Sequence, residues 1–380
     1  MSVARILILS AGGGAGHVRA GQALEAAGRA RGDGLQVVHH DALEFCGRPT
    51  RAVVADLYRG LVDKAPALYR FLYEQLDREQ SRLTQALVRR YDRLAYRALE
   101  RRVLELDPDE IVCTHFLPAH VLVAKRASPR RAAAPAVIRG RISVVVTDYD
   151  AHAFWVNPGV DRYYVGSDEV RHLLVRRGIA EDRVRVTGIP VHPAFGRARG
   201  REAAARLLRA DPDRPTVLLM SGGLGVGRVE ETLARLLALP ETVQFLVVAG
   251  RNESLRVRLE RASAKAQRRV RLFGFVDNIH DHMEASDVAV TKAGGLTVTE
   301  CLARGLPLVV VNAIPGQEEM NADWLVEYGA AVKVRHPELL PFKLGQLLGD
   351  AQRLGAMKRA ARRLGRPGAA DAILADLRPA

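Results

Sequence analysis

The feature that most constrains this chain is a pattern repeated along both halves. A short run of Val, Ile and Leu is followed by a glycine-rich or polar turn and then by residues at helical spacing. This alternation is typical of a parallel sheet covered by helices on both faces, so the predicted fold class is α/β. The predicted strands are 5–10, 35–40, 110–114, 142–147, 216–220, 243–248, 270–273, 287–291 and 308–311.

The length of 380 residues exceeds one ordinary core and suits two domains. Residues 188–195 contain two prolines and a glycine, and the alternation restarts beyond them, which predicts a hinge. We therefore expect two Rossmann-like, doubly wound domains at residues 1–190 and 191–350, with a cleft between them. Residues 351–380 are predicted to be helical and to pack back on the first domain.

Composition narrows the class of protein. Hydrophobic residues make up 48% of the chain and charged residues 26%, which is ordinary for a globular protein. The three cysteines are far apart, which argues against a disulfide framework or a zinc site and suits a reducing compartment. The N-terminal apolar run is too short for a signal peptide, and no run approaches a membrane span, so a cytoplasmic or peripheral membrane protein is expected.

The net charge of +14 is unevenly distributed. Six basic residues and no acidic residue occur between Lys125 and Arg141, and arginines separate the apolar positions of a predicted helix at 83–98. These features indicate either an arginine-rich but ordinary surface or a face for an anionic membrane. No nucleic-acid-binding module is visible, and the aromatic residues that stack bases are missing from the basic stretches, which favours lipid.

The first motif joins the first predicted strand to the first helix. It reads Leu9-Ser-Ala-Gly-Gly-Gly-Ala-Gly-His17, and its glycines allow a close approach to a ligand at a helix N-terminus. The positive potential there lowers the pKa of His17, which could be a general base or a turn histidine that caps the helix. A dinucleotide fingerprint would need glycine at position 17. The loop glycines assigned to this motif are Gly13, Gly14 and Gly16.

The second half carries five polar, glycine-rich turns, each following a predicted strand. Ligands of parallel sheets bind along the carboxyl ends of the strands, so together these turns predict a nucleotide-sugar site. Gly294 and Gly295 open a helix and can hold a diphosphate, and Glu300 can accept the ribose hydroxyls. The residues assigned to the turns are Gly222, Gly223, Arg251, Asn252, Phe275, Val276, Gly294, Gly295, Thr297, Glu300, Gln317, Glu318 and Asn321.

The tripeptide Asp148-Tyr-Asp150 has the D-x-D pattern with which some enzymes that use nucleotide sugars bind manganese, and His152 is nearby. It lies in the first domain, away from the predicted donor turns. We therefore expect no metal here and instead a positioning or catalytic role for Asp148 and His152 beside the acceptor.

These motifs carry a resemblance to a known family. Thr291-Lys-Ala-Gly-Gly-Leu-Thr-Val-Thr-Glu300, Pro315-Gly-Gln-Glu318 and the glycine run before His17 resemble the monogalactosyldiacylglycerol synthases and processive diacylglycerol glucosyltransferases of glycosyltransferase family 28. The segment 144–155, which ends at Trp155, resembles the lipid-galactosyl branch. The resemblance extends from about residue 5 to about residue 334.

The resemblance implies a GT-B fold with the acceptor in the first domain and the donor in the second. It makes His17 the general base and Trp155 part of the acceptor side. On the donor side it implies contacts with four parts of the ligand: Glu300 with the ribose, Gly294, Gly295 and Thr297 with the diphosphate, the backbone at Phe275 and Val276 with uracil, and Gln317 and Glu318 with the sugar.

The expected activity is inverting transfer of a hexose from UDP-glucose or UDP-galactose to a lipid hydroxyl, and the resemblance favours diacylglycerol as the acceptor. The resemblance implies no cofactor and no metal requirement, and no nucleic-acid partner is expected. The protein is expected at the inner face of the cell membrane as a peripheral protein. Two alternatives stay open, namely N-acetylglucosamine transfer to a lipid-linked peptidoglycan precursor and a UDP-sugar 2-epimerase of similar fold.

Overall fold

The computed structural model describes residues 5–12, 14–32, 34–47, 60, 65–78, 95–127, 137–220 and 228–377. The chain divides into two compact units, each built around one parallel six-stranded sheet. The first unit comprises Met1–Pro193 and Gly368–Ala380, and the second comprises Ala194–Pro367. The predicted α/β class with two parallel sheets is confirmed.

The first sheet is formed by six short parallel strands, which are β1 (Arg5–Ser10), β2 (Gln36–Asp41), β3 (Glu110–Cys113), β4 (Arg141–Val145), β5 (Arg162–Val165) and β6 (Val184–Val186). Their spatial order is β2-β1-β3-β4-β5-β6. The helices that accompany them are α1 (Ala15–Arg31), α2 (Pro66–Arg78), α3 (Arg97–Leu106), α4 (Phe116–Arg126) and α5 (Asp168–Arg176).

Strand β1 shows why these sequences form buried parallel strands. Successive side chains of a strand point to opposite faces of the sheet. Leu7 and Leu9 pack in the core on one face, and Ile6 and Ile8 pack on the other with Leu24 of α1. Because helices cover both faces of a parallel sheet, its inner strands are apolar throughout rather than alternating.

The second sheet is formed by β7 (Thr216–Met220), β8 (Gln244–Val248), β9 (Val270–Phe273), β10 (Val288–Thr291), β11 (Leu308–Val310) and β12 (Ala331–Lys333). Its order is β12-β11-β10-β7-β8-β9, with all neighbours parallel. The helices of this unit are α6 (Arg201–Leu207), α7 (Val229–Leu236), α8 (Glu253–Ser263), α9 (Ile279–Glu284), α10 (Gly295–Ala303), α11 (Gln317–Glu327), α12 (Leu340–Gly349) and α13 (Ala351–Leu364).

The C-terminal segment differs in extent from the prediction. Helix α13 belongs to the second unit, and only residues from Gly368 onward belong to the first. There α14 (Ala369–Asp376) contributes Ile373 and Leu374 to the core beside α1. Asp376 accepts a hydrogen bond from the Tyr164 hydroxyl at 2.9 Å, which ties the last helix to β5. The unit boundary at residues 193 and 194 lies within the predicted hinge segment.

Three strands, β5, β6 and β12, were not predicted. Each has only three or four residues, too few for a period to stand out from a loop. The predicted basic helix at 83–98 and the basic stretch at 125–141 lie largely outside the described residues. Among the described helices, none has the length and apolar character needed to cross a membrane.

Candidate functional site

In the first unit, the candidate site lies where the strand order reverses. From β1 the chain first adds β2 on one side and later β3 on the other, so β1 lies between them. In doubly wound sheets, ligands bind beyond the carboxyl ends of strands at such a point. His17 lies in the first turn of α1, directly after β1, and Thr114 follows β3. The sequence motif and the topology therefore identify the same place.

The hydrogen bonds of His17 determine which ring nitrogen carries the proton. Its Nδ1 lies 2.9 Å from the carbonyl oxygen of Thr114, and a carbonyl oxygen can only accept. Nδ1 therefore carries the hydrogen and donates it, and the neutral ring keeps its lone pair on Nε2. The hydroxyl of Thr147 lies 2.9 Å from the same Nδ1, as a second acceptor. The Thr114 hydroxyl donates to the His17 carbonyl at 2.8 Å, which fixes the backbone as well.

Burial of the imidazole lowers the pKa of His17 below its usual value, although the nearby Asp148 carboxylate and the Thr114 carbonyl act in the opposite direction. A lowered pKa keeps the ring neutral near pH 7 and able to take up a proton. The sequence predicted this direction from the helix N-terminus. In the structure the dominant cause is burial.

His115 is a neighbour of His17 that the sequence did not single out. The two rings meet edge to face with centroids 4.5 Å apart. The pKa of His115 is well below its usual value, first because of burial and then because of His17 and His120. Its Nδ1 accepts a hydrogen bond from the Leu117 amide at 3.1 Å and so caps α4. A neutral His115 adds no positive charge beside His17.

The surroundings of His152 do not suit a role in proton transfer. Its Nε2 donates to the Tyr73 carbonyl at 2.9 Å, and its Nδ1 accepts from the Phe154 amide at 3.1 Å. Both ring nitrogens are thus engaged with backbone. The geometry favours a role in fixing the turn 153–155 against α2, where Asp77 accepts from the Ala153 amide at 2.7 Å.

Asp148 and Trp155 are both buried near His17. Asp148 is 5% exposed, and its charge acts on the His17 ring. The Trp155 ring centroid lies 6.1 Å from that of His17, and the Trp155 carbonyl accepts from the Tyr163 hydroxyl at 3.0 Å. Trp155 therefore forms part of the packed wall around His17 rather than an exposed contact.

The glycine loop before α1 is held by Asp41. One oxygen of this carboxylate accepts from the Gly12 amide at 3.1 Å and from the Leu43 amide at 3.0 Å. Asp41 thus fixes this loop through hydrogen bonds to backbone amides that follow β1 and β2. Gly14 is the N-cap of α1 in an extended conformation, and Gly16 is half-buried in its first turn. Gly13 lies outside the described residues.

In the second unit the order reverses at β7 and β10, and the loop after β10 carries the predicted diphosphate motif. Gly294 is the N-cap of α10 and has no side chain with which to cap its free amides. The first turn of α10 contains no acidic residue. Such an N-terminus attracts anions. Thr297 is half-buried in this first turn, and Glu300 lies buried one turn further along.

The turn before α11 is connected to the loop after β10. Glu318 is buried and accepts from the Ile314 amide at 2.8 Å. Asn321 is fully buried and donates to the Ala293 carbonyl at 3.0 Å, so its amide group connects the two loops and is shielded from solvent. Gln317, the first residue of α11, is half-buried.

The remaining predicted donor residues follow β8 and β9. Asn252 caps α8 and accepts from the Leu255 amide at 2.9 Å. The Arg251 guanidinium lies 4.0 Å from the centroid of the Phe275 ring, which is 54% exposed. Val276 is half-buried beside it. Gly222 and Gly223 lie outside the described residues.

Within the residues that the structure describes, no group of three or more His, Cys, Asp or Glu side chains is arranged to hold a metal ion. The sequence analysis missed Thr114, Thr147 and His115. One sequence signal could have pointed to these residues, since all three lie at or just after the ends of predicted strands whose carboxyl ends lie at the same edge of the sheet. Their contacts with His17 could not be predicted, because Thr114 and Thr147 are 97 and 130 residues away from it in the chain.

Comparison with known proteins identifies two family profiles along this chain. The profile described as monogalactosyldiacylglycerol (MGDG) synthase matches residues 17–191, and the profile of the glycosyltransferase family 28 C-terminal domain matches residues 216–372. The processive diacylglycerol beta-glucosyltransferase of Bacillus subtilis is 31% identical over 379 residues, covering 98% of this chain and 94% of that protein. The protein of the same name from Bacillus licheniformis is 33% identical over 234 residues, or 61% of either chain.

Solved structures show the fold. MurG of Acinetobacter baumannii superimposes with a TM-score of 0.60 at 17% identity, over 98% of this chain and 99% of that one. The UDP-GlcNAc 2-epimerase of Neisseria meningitidis, solved with UDP-GlcNAc, gives 0.61 at 13% identity and covers the same shares. The chain has the predicted GT-B fold. The similarity to the Bacillus subtilis protein along nearly the full length, with both profile matches, shows that the chain belongs to glycosyltransferase family 28, in the group of monogalactosyldiacylglycerol synthases and processive diacylglycerol glucosyltransferases.

Proposed function

We propose that this protein transfers a hexose, glucose or galactose, from a UDP-sugar to the free hydroxyl of diacylglycerol. The observation that carries the proposal is the state of His17, a neutral imidazole whose Nδ1 hydrogen is held by the Thr114 carbonyl. Its Nε2 is left to take the proton of the acceptor hydroxyl. The relatives named above, which act on diacylglycerol by name, support the lipid acceptor.

The proposed stereochemical course is inversion. UDP-hexoses carry an α-linked sugar, and the Bacillus relatives are named as beta-glucosyltransferases, so a single displacement would account for such a product. In this reaction the acceptor oxygen forms a bond to the anomeric carbon and its proton passes to His17. The bond from that carbon to the diphosphate breaks, and UDP leaves. Neither a metal nor another cofactor is proposed.

On the donor side, we propose that the loop after β10 holds the diphosphate and that Glu300 holds the ribose. The open N-terminus of α10 supports the first assignment, because its amides meet neither a side-chain cap nor an acidic residue in the first turn. We further propose that Gln317 contacts the sugar and that the backbone at Phe275 and Val276 contacts uracil. Glu318 and Asn321 would act mainly by fixing these loops, since both are buried and bonded to backbone.

We also propose that the first unit rests on the inner face of the cell membrane as a peripheral protein. Helix α2 exposes three apolar side chains at helical spacing, Leu68, Phe71 and Leu72, with Phe71 57% exposed. An apolar stripe of this kind can enter the interfacial region of a bilayer, and the net charge of +14 adds attraction to anionic lipid.

The test of the activity is an assay of the purified protein with diacylglycerol vesicles and, separately, UDP-glucose, UDP-galactose and UDP-N-acetylglucosamine, with products identified by mass spectrometry. A hexosyl-diacylglycerol is the expected product. Product formed only with a lipid-linked peptidoglycan precursor, or epimerised UDP-sugar formed without any acceptor, would replace the proposal with one of those activities.

The membrane proposal has a separate test. Sedimentation with vesicles of increasing anionic lipid content should show increasing binding that decreases with salt. Phe71→Ser should weaken binding, whereas Leu207→Ser, which removes an exposed apolar side chain of the second unit, should not. Binding that is the same for all vesicles and both variants would contradict the proposed surface.

A further inference from the structure

A cavity in the second unit has no place in the function proposed above. Its volume is about 400 Å³, and it lies at the carboxyl ends of β11 and β12, between α7 and the start of α12. Its walls include Asn312 after β11, Arg335 after β12 and Arg235 of α7. The described lining contains none of the residues assigned to the diphosphate, the ribose, the uracil or the sugar. The cavity is therefore without an assigned ligand.

Positive charge predominates in the walls of this cavity. Among the described lining residues three are cationic, Arg235, Lys333 and Arg335, whereas Glu319 is the one carboxylate. Lys333 is paired with Asp323, with 2.7 Å between Nζ and Oδ1. The two arginines come from separate elements, α7 and the segment after β12. Like charges that different elements bring to one cavity repel each other, and a bound anion would offset this repulsion.

Most hydrogen-bond donors of the two arginines are unused by the described protein groups. Arg235 lies 3.6 Å from a carboxylate oxygen of Glu231 and 3.9 Å from one of Glu338, distances too long for hydrogen bonds. Its Nη1 donates one bond, to the Glu231 carbonyl at 3.3 Å. Arg335 is exposed and forms neither an ion pair nor a hydrogen bond with any residue that the structure describes. A guanidinium carries five donors in a planar fork that matches two oxygens of a phosphate.

The carboxylate in the wall has a structural role of its own. Oε2 of Glu319 accepts a hydrogen bond from the Gly316 amide at 3.1 Å, in the turn that begins α11. On the opposite side of the charge balance, the Lys343 ammonium lies at the end of β12, where it donates to the Lys333 carbonyl at 3.1 Å. Within the described residues this ammonium has no carboxylate partner. The surroundings of the cavity thus add a further positive charge.

We propose that this cavity is a second anion site, separate from the sugar-nucleotide site, and that it binds the phosphate group of a phosphate ester. The Arg235 and Arg335 guanidinium groups donate to the phosphate oxygens. The organic part of the ester contacts the apolar lining, which includes Val311, Pro337 and Leu340. The same phosphate chemistry is found in soluble metabolites and in lipid headgroups.

The binding test is calorimetry with glycerol 3-phosphate, in the absence of UDP and with saturating UDP to occupy the sugar-nucleotide site. Binding should be the same in both conditions. Arg235→Met and Arg335→Met should each weaken it about tenfold or more, the usual effect of losing charge-assisted hydrogen bonds. Arg268→Met removes the same charge from an exposed position of the same unit and should change the affinity less than twofold. Thermal unfolding checks that each variant is folded, and Arg335→Gln is a further neutral variant.

A second experiment distinguishes the two sources of the phosphate. Phe342 is 61% exposed in the first turn of α12, beside the cavity residue Leu340, where it could contact acyl chains. Sedimentation with phosphatidylcholine vesicles, with and without phosphatidylglycerol, is measured in a Phe71→Ser background to remove the proposed contribution of the first unit. A lipid ligand predicts that Phe342→Ser weakens binding to the anionic vesicles and leaves glycerol 3-phosphate affinity unchanged. A soluble ligand predicts that Phe342→Ser changes neither.

Two results would overturn the proposal. One is unchanged affinity for both glycerol 3-phosphate and anionic vesicles in the folded Arg235→Met and Arg335→Met proteins, since the cavity would then hold no phosphate. The other is displacement of glycerol 3-phosphate by UDP, which would make the two ligands share one site.

Discussion

The two sheets of this protein use the same topological device for different chemistry. In both, candidate site residues lie where the strand order reverses, at β1 and β3 in the first sheet and at β7 and β10 in the second. At the first reversal, His17 is held by two oxygen acceptors within 2.9 Å. At the second, the N-terminus of α10 has no side-chain cap at Gly294 and no acidic residue in its first turn.

This difference is the one that the two proposed roles would require. A general base must present one nitrogen in one tautomer, so its other nitrogen is best fixed in advance by the protein. A site for a charged ligand must instead keep its donors unsatisfied, because the ligand supplies the acceptors. Under the proposed function, the first site needs no ligand to be complete, whereas the second would be completed by one.

The largest effect is expected from removing the base itself. His17→Ala should lower kcat by about 100- to 10,000-fold, the usual contribution of general base catalysis, because no other group would take the acceptor proton. UDP affinity should change little, since the donor-side residues lie on the other sheet. Steady-state kinetics with calorimetry checks both expectations, and His172→Ala on an exposed face of α5 is the matched control. Full turnover by His17→Ala would show that His17 is not the base, and the proposed division of roles between the two sites would then fail.

The next prediction concerns the proposed donor site in the second unit. Glu300→Ala should weaken UDP binding by about ten- to a hundredfold, because hydrogen bonds to a buried carboxylate contribute about 1.5–3 kcal/mol. Calorimetry with UDP measures this effect, and Glu260→Ala, an exposed substitution on α8, controls for loss of charge. Unchanged UDP affinity in a folded Glu300→Ala protein would contradict the ribose assignment.

A smaller effect is expected from substituting Thr147. This substitution tests whether the protein fixes the orientation of the His17 ring before the acceptor binds. Thr147→Val removes one acceptor of the Nδ1 hydrogen and should lower kcat by about three- to tenfold, with KM little changed. It should also lower the pKa of His17 further, because this acceptor favours the charged ring. The acidic limb of the kcat profile would then move to lower pH. Thr147→Ser should restore both properties, and a shift that serine does not restore would indicate altered packing instead.

The smallest effect concerns stability at low pH. Burial lowers the pKa of His17, His39, His40 and His115 in the first unit, and of His282 in the second. Below about pH 6.5 the unfolded chain therefore binds more protons than the folded one, and stability present above that pH is lost as the pH falls. Hydrogen exchange at pH 7 and pH 5 should show a greater loss of protection in the first unit. Equal losses of protection in both units would contradict the expectation that low pH destabilises the first unit more.

Much of the fold could be predicted from the sequence, because short apolar runs that are repeatedly followed by glycine turns and helical spacing admit few structures besides parallel strands with covering helices. Strand β1 was predicted with its observed bounds, and the loops at His17 and at Gly294 were found from local residue types. Strands β5, β6 and β12 were not predicted, because three or four residues carry too little periodicity.

The sequence by itself determined the fold class, the family and the chemical types of the site residues, because these depend on local patterns and on short motifs. Tertiary structure alone decided how those residues are used. His152 and His17 looked alike in sequence, yet backbone groups engage both nitrogens of His152 and only Nδ1 of His17. Such differences became visible only in the structure, because contacts between distant segments determine which polar groups are satisfied.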